Sequence, residues 1–163
     1  MNILEGKEKL KETQERFSED LSEAEQLKED SEAIDRILKG MELDGLDSET
    51  QGTARDVTSS YSETYNEAME EKDDEIGETA ETAEGHAESL GENQEQVDRN
   101  AERYAEAAGI SDLGKEAADS GKAKMESDSQ TYGELISENE KAIQESREKS
   151  KNLRSMVSTF FKG

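Results

Sequence analysis

Apolar residues in the first part of the chain recur at heptad spacing, with polar residues between them. They occupy two facing heptad positions, with Leu10, Phe17, Ala24 and Leu38 on one and Leu27 and Ile34 on the other. Thr13 and Ser31 interrupt the apolar pattern. Such spacing is typical of an amphipathic helix that buries one narrow stripe. We therefore predict a first helix over about residues 4–39.

A turn is predicted where this pattern stops. Gly40 can end the helix, and residues 40–48 contain a second glycine together with Asp and Ser residues that can begin another helix. Apolar residues then recur at three- and four-residue steps from Ser48 to Ala108. This stretch predicts a second helix over about residues 48–108. Because glycine weakens helices, we expect a bend or local fraying between about Asp73 and Asn93, which spans Gly77, Gly85 and Gly91.

A third amphipathic segment follows. Gly109 is predicted to cap the second helix, and Ser111 and Asp112 are predicted to start the third. The apolar stripe then continues to the region of Phe160, which predicts a helix over about residues 112–161. Asn139 lies close to this stripe, where a polar residue costs stability but fixes register.

The composition sets the kind of core that these helices can build. Only 29% of residues are hydrophobic and proline is absent, whereas ordinary soluble domains are roughly 45–50% apolar. We therefore expect an all-α protein of long antiparallel helices, either a helical hairpin or a three-helix, coiled-coil-like bundle. It would form a single elongated helical domain over residues 1–163. The alternative is a free chain that is disordered and folds on its partner.

The formal charge of −23 is unevenly distributed along the chain. Residues 41–108 carry −17, whereas residues 141–163 carry +4. Most of the surface would repel nucleic acid, which is therefore not expected as a partner. The basic end is interpreted as the complementary end of an antiparallel helix pairing. An interfacial membrane helix ending at Phe160 and Phe161 is an alternative interpretation of the same segment, although membrane contact is not expected.

Candidate catalytic and metal-binding groups are scarce. The chain has no cysteine, and its single histidine, His86, has no second imidazole or nucleophile in the neighbouring sequence. Four acids lie close together in the predicted turn, but their spacing departs from that of a calcium-binding loop; they are Glu42, Asp44, Asp47 and Glu49. We expect no catalytic residues, no cofactor and no metal site, and hence a protein that is not an enzyme.

The predicted location follows from hydropathy. No apolar run approaches the ~20 residues that span a bilayer, and the first residues lack the apolar region of a signal peptide. We expect a cytoplasmic protein, or one that is secreted without a cleavable signal peptide.

A short motif at the start of the second predicted helix suggests a family. The sequence Thr50-Gln51-Gly52-Thr53-Ala54 follows a turn between two amphipathic helices and resembles the W-x-G-x-A signature of the small WXG-type substrates of bacterial type VII secretion, with Thr50 at the tryptophan position. The resemblance covers about residues 1–108. It implies a helical hairpin that acts as a secretion substrate, or as a targeting partner or chaperone like the helical proteins that accompany LXG-type toxins.

The same resemblance implies an export signal. Such hairpins close with a Y-x-x-x-D/E element, to which Tyr104 and Ala108 correspond here, with Ala108 at the position of the acid. Glu106 or Asp112 would then supply the charge, or the partner would carry the signal.

Two functional hypotheses remain open. The first is a non-catalytic helical interaction protein, associated with type VII secretion, that binds a larger helical effector. The second is a cytoplasmic coiled-coil scaffold or adaptor that forms homo-oligomers. In either case a protein partner is expected to contact the following residues: Thr50, Gly52, Ala54, Val57, Tyr61, Tyr65, Val97, Tyr104, Leu153, Val157, Phe160 and Phe161.

Overall fold

A computed structural model describes residues 1–41, 45–110 and 114–161, and three long helices account for most of this part of the chain. Helix α1 spans Ile3–Lys39, α2 spans Ser48–Ile110 and α3 spans Lys115–Phe160. No β-strand occurs among the described residues. The expected all-α fold is confirmed. Residues 42–44 and 111–113, and with them Ser111 and Asp112, lie outside the described residues.

Local side-chain chemistry explains where α1 begins and ends. Asn2 and Glu5 form a reciprocal capping box, in which the Glu5 amide donates to Asn2 Oδ1 at 2.9 Å and the Asn2 amide donates to Glu5 Oε2 at 3.2 Å. At the other end, the Gly40 amide donates to the Arg36 carbonyl at 3.0 Å. The predicted stop at Gly40 is therefore confirmed.

Helix α2 begins after an N-cap and continues past its predicted end. The Thr50 amide donates to Asp47 Oδ1 at 2.7 Å, which satisfies one of the free donors of the first turn. Gly109 lies inside the helix, which ends at Ile110, so Gly109 is not the cap that the sequence predicted. Helix α3 begins at Lys115, after Gly114, whose φ of 88° is a conformation that glycine adopts readily.

The predicted weak stretch of α2 is helical throughout. Residues 73–93 remain in one continuous helix despite Gly77, Gly85 and Gly91. Four side chains along the stretch are almost fully buried, namely Ile76, Ala80, Ala83 and Leu90. Packing of this apolar stripe outweighs the roughly 0.5–1 kcal/mol by which each glycine disfavours a helix relative to alanine.

The helices contribute to two compact units, each of which contains part of all three. Unit 1 consists of Met1–Gln14 and Ala80–Gln144, and unit 2 consists of Glu15–Thr79 and Glu145–Gly163. The expectation of a single domain over residues 1–163 stays a prediction.

The core of unit 1 joins the three helices through a small apolar cluster. Its buried members are Leu10 of α1, Leu90 of α2, and Tyr132 and Leu135 of α3. Asn93 donates to the Met1 carbonyl, and Gln94 Nε2 donates to the Ser129 carbonyl at 3.0 Å. These hydrogen bonds set the axial position of α2 relative to the start of α1 and to α3 within unit 1.

Unit 2 has an equivalent cluster. Ala24 of α1 and Met69 of α2 pack with Leu153 and Val157 of α3, and all four are at most 7% exposed. Leu21, Leu27 and Tyr65 pack around this cluster while remaining partly exposed. Among the described residues, each unit therefore has an apolar cluster to which all three helices contribute.

Polar residues occupy part of the buried stripe of α3. Between residues 132 and 157 its buried positions follow steps of three and four residues, and they include Asn139, Ser146 and Ser150. Asn139 is fully buried. Its Nδ2 donates to the Leu135 carbonyl at 3.1 Å, whereas its Oδ1 has no hydrogen-bond partner. A buried polar atom without a partner destabilises the fold.

None of the described helices has a segment that is long and apolar enough to cross a membrane.

Replacing the buried amide should stabilise the protein. Asn139→Leu removes the unpartnered Oδ1 and keeps a similar side-chain volume, so we expect the free energy of unfolding to rise by about 1–2 kcal/mol in urea denaturation. Gln144→Leu is the matched control, because Gln144 is exposed on the same helix, and it should change stability little. A loss of stability in Asn139→Leu, with the control unchanged, would contradict this account of the core.

Candidate functional site

The residues that carry the family resemblance lie in the first two turns of α2. Thr50 is exposed and its amide is held by Asp47, whereas Gly52 and Ala54 are half-buried. A Cβ atom on Gly52 would meet nothing within 4 Å, so no close packing in the described structure requires glycine there. Asp47 is the helix cap, and the hydrogen bond from the Thr50 amide lowers the pKa of its carboxyl group.

The next residues of α2 have different environments. Val57 and Tyr61 are 41% and 43% exposed. Tyr65 is half-buried, and its ring stacks on that of Phe161 with 6.2 Å between centroids. The pKa of Tyr65 is raised, chiefly because its hydroxyl is partly withdrawn from water.

Two predicted partner-binding residues belong to the core of unit 2. Leu153 and Val157 are 7% and 0% exposed and pack against Ala24 and Met69. Phe160 and Phe161 are half-buried. A partner could reach Leu153 or Val157 only if the core of unit 2 opened.

Tyr104 and Val97 lie in unit 1. Val97 packs against the cluster around Leu90. Tyr104 is 40% exposed, and one side of its ring lies over Gly121 of α3, where an added Cβ atom would be 2.7–2.9 Å from three ring atoms. Ala108, the other residue of the implied export signal, is half-buried near the end of α2.

Four charged residues form a cluster in unit 2 that the sequence analysis missed. Lys72 of α2 is ion-paired with Glu23 of α1 and with Glu75, one turn further along α2, at 2.8 Å. Carboxylate oxygens of Asp20, Glu23 and Glu75 lie within 4.8 Å of one another. A signal was present in the sequence, since Asp20 and Glu23, like Lys72 and Glu75, are spaced to share a helix face. The four residues come together only because α1 packs against α2.

The cluster shifts the pKa values of its members in opposite directions. Hydrogen bonds to Glu23 and Glu75 raise the pKa of the Lys72 ammonium, and the hydrogen bond from Lys72 lowers the pKa of Glu75. Partial burial, followed by repulsion from Glu75, raises the pKa of Asp20. The Lys72 ammonium therefore partly offsets the negative charge of three close carboxylates.

The basic end of α3 lies against acids of the other two helices within unit 2. Lys149 Nζ is 3.8 Å from Glu25 of α1, and Arg154 is 3.1 Å from Asp73 and 3.9 Å from Glu70 of α2. Ser150 also donates to Asp73 at 2.8 Å. These pairs agree with the interpretation of residues 141–163 as the complementary end of an antiparallel pairing.

A cleft of about 330 Å³ in unit 1 offers little catalytic chemistry. Lysine and glutamate side chains from α1 and α3 line it, together with Leu10, Leu135, Gln14 and Thr131. The Thr131 hydroxyl donates to the Ser127 carbonyl at 3.1 Å, and so serves the helix backbone. His86 lies elsewhere in unit 1, partly buried on α2.

The charged cluster predicts a pH-dependent difference between Asp20→Asn and the wild type. Because the folded-state pKa of Asp20 is raised, ionised Asp20 disfavours the fold at pH 7, and its protonation stabilises the fold as the pH falls through that pKa. Asp20→Asn should therefore be more stable than wild type at pH 7, with the advantage shrinking on acidification in urea titrations. Glu19→Gln is the control, because it removes the charge of an exposed residue next to Asp20. An Asp20→Asn variant less stable than wild type at pH 7 would contradict this assignment.

A pair of glycine substitutions tests the Tyr104 contact. Gly91→Ala meets no atom within 4 Å and should stabilise α2 by about 0.5–1 kcal/mol. Gly121→Ala adds the same methyl group under the Tyr104 ring and should instead destabilise the protein by about 1 kcal/mol, because the ring must move. Urea denaturation measures both changes, and NMR resonances of the Tyr104 ring should shift only in Gly121→Ala. Equal stabilisation by the two substitutions would show that the ring does not lie over Gly121.

No protein-family model, curated protein or solved structure matches the chain. Nothing in these comparisons bears on the resemblance to WXG-type substrates, which stays a prediction. The function is therefore inferred from the chain's own residues.

Proposed function

We propose that this chain is a non-catalytic helical interaction protein that binds a protein partner. The observation that carries the proposal is the exposure of large apolar side chains in a chain that has few. Ile37 and Ile110 are 64% and 85% exposed, and Val57, Tyr61 and Tyr104 are about 40% exposed, although only 29% of the residues are hydrophobic. Contiguous patches of exposed apolar side chains mark sites of protein association, and we infer that some of these residues form such a patch.

The resemblance at Thr50, Gly52 and Ala54 supports a more specific proposal. The chain would be a type VII secretion substrate, or the targeting partner of a larger helical effector. The resemblance implies a helical hairpin; two long helices, α1 and α2, follow each other in the chain, and Tyr104 lies toward the end of α2, which supports the proposal. The partly exposed ring of Tyr104 would be accessible to a secretion component.

Homo-oligomerisation is the competing function, and the charge distribution disfavours it. Each copy carries a formal charge of −23, and the basic segment that could offset it already pairs with Glu25, Glu70 and Asp73 in the same chain. Two copies would therefore bring acidic surfaces together, which is unfavourable.

Mass measurements distinguish these functions. Sedimentation velocity at 150 mM NaCl should give a monomer of 18.1 kDa for the chain alone. Co-expression with a helical effector domain encoded next to it should give a complex of larger mass that survives purification. A stable homodimer that excludes the effector domain would favour the scaffold.

The secretion-specific part has its own test. Tyr104→Ala should abolish appearance of the chain in the culture medium while Tyr104→Phe, which keeps the ring over Gly121, should retain it. Equal secretion of the two variants, or none of the wild type, would reject the export signal and leave partner binding to be judged by the mass measurements.

A further inference from the structure

Exposed apolar side chains are concentrated at one place in unit 2. Nine large apolar residues are exposed among the described residues, and five of them lie between residues 37 and 61, within the connection between α1 and α2 or in the adjoining helix ends. We name these five the turn patch: Ile37, Met41, Leu46, Val57 and Tyr61. Their exposures range from 41% to 64%. The other four are distant from these in sequence, and three of them lie in unit 1.

Helix pairing brings members of the turn patch together. Glu23 of α1 meets Lys72 of α2, and the two helices are joined by a short connection, so they run antiparallel between these points. Ile37 lies two heptads beyond Glu23 and therefore on the same side of α1. On α2, the position two heptads before Lys72 lies between Val57 and Tyr61, and these two residues share a helix face. Ile37, Val57 and Tyr61 therefore form one apolar surface.

The surroundings of the turn patch are acidic. Residues 28–65 contain ten acidic residues and four basic ones. Asp30 lies one heptad before Ile37 on α1, and Glu71 lies two heptads after Val57 on α2, so each acid is on the helix side that carries the patch. Both acids are exposed. An apolar surface flanked by carboxylates complements an apolar stripe flanked by ammonium or guanidinium groups.

The chain itself shows how such a surface holds a helix. The last turns of α3 bury Leu153 and Val157 between α1 and α2, while Lys149 and Arg154 on their flanks pair with acids of those two helices. Acids that flank an apolar stripe can therefore hold a basic helix in this protein.

We propose that the turn patch docks an amphipathic helix of a partner protein, and that lysines and arginines flank the apolar stripe of this helix. The proposal rests on the proposed function, because it names the binding surface and the chemistry of the partner. A second copy of this chain fits poorly, since it would present the same acids to the patch. The occupant is a basic helix that repeats the arrangement of the end of α3.

Binding of synthetic helices to the full chain tests this proposal. A labelled 15-residue peptide with leucines on one helical face and lysines elsewhere is compared, by fluorescence anisotropy at 150 mM NaCl, with a scrambled peptide of the same composition and with a leucine–glutamate version. The basic amphipathic peptide should bind at least about 10-fold more tightly than either, a preference of about 1.4 kcal/mol. Equal binding of the amphipathic and scrambled peptides would overturn the proposal, because charge alone would then explain association.

Two double variants locate the site. Ile37→Ser/Tyr61→Ser should remove the preference for the amphipathic peptide, whereas Leu4→Ser/Ile110→Ser, which changes more exposed apolar side chains in unit 1, should keep it. Circular dichroism confirms that each variant remains folded. Asp30→Asn/Glu71→Gln provides a second route, since it leaves the apolar side chains intact and should weaken binding of the basic peptide about 3-fold or more. An equal loss in the unit 1 variant would overturn the assignment.

The remaining outcomes separate this proposal from the broader function. If a protein partner forms a complex with wild type and with Ile37→Ser/Tyr61→Ser equally well, the interaction function holds and the turn patch is not its site. If the chain instead forms a dimer that Ile37→Ser/Tyr61→Ser dissociates, a second copy occupies the patch and both proposals fail. Binding of the basic peptide to wild type alone, with no homodimer, supports the patch and its charge preference.

Discussion

The scarcity of apolar residues constrains the whole structure. Among the described residues, each unit has a buried apolar cluster with members from all three helices, and Asn139, Ser146 and Ser150 occupy part of the same buried stripe of α3. The helices have 37, 63 and 46 residues. They are stabilised because narrow apolar stripes on all three pack together in each unit. Long helices of this kind present extended surfaces, on which the proposed partner binding depends.

Charge determines how the third helix is placed in unit 2. Lys149 and Arg154 are among the few basic residues near many acids, and each pairs with a carboxylate of another helix. Exposed pairs of this kind contribute at most about 1 kcal/mol each. Their larger effect is on specificity, because the reversed orientation of α3 would leave its basic end away from Glu70 and Asp73. Asp30 and Glu71 lie beside the apolar surface around Ile37 and Tyr61, where they would favour the proposed basic helix.

The sequence predicted the helices well because their signals are local. The heptad of Leu10, Phe17 and Ala24 and the stop at Gly40 depend only on neighbouring residues. Thr13 and Ser31 interrupt the apolar pattern in the sequence, yet both are buried, with 3% exposure or less. The Ser31 hydroxyl donates a hydrogen bond to the Lys28 carbonyl. The cluster around Lys72 and the Tyr104–Gly121 contact join residues distant in sequence, and they could not be predicted until the pairing of the helices was known.

The central claim is that the packing of these narrow apolar stripes is sufficient to fold the chain without a partner. Circular dichroism at 222 nm through a urea titration of the isolated chain, at pH 7 and 150 mM NaCl, tests it most directly. The account predicts a predominantly helical spectrum in buffer that is lost in a cooperative transition. A coil-like spectrum that becomes helical only when a partner is added would contradict it.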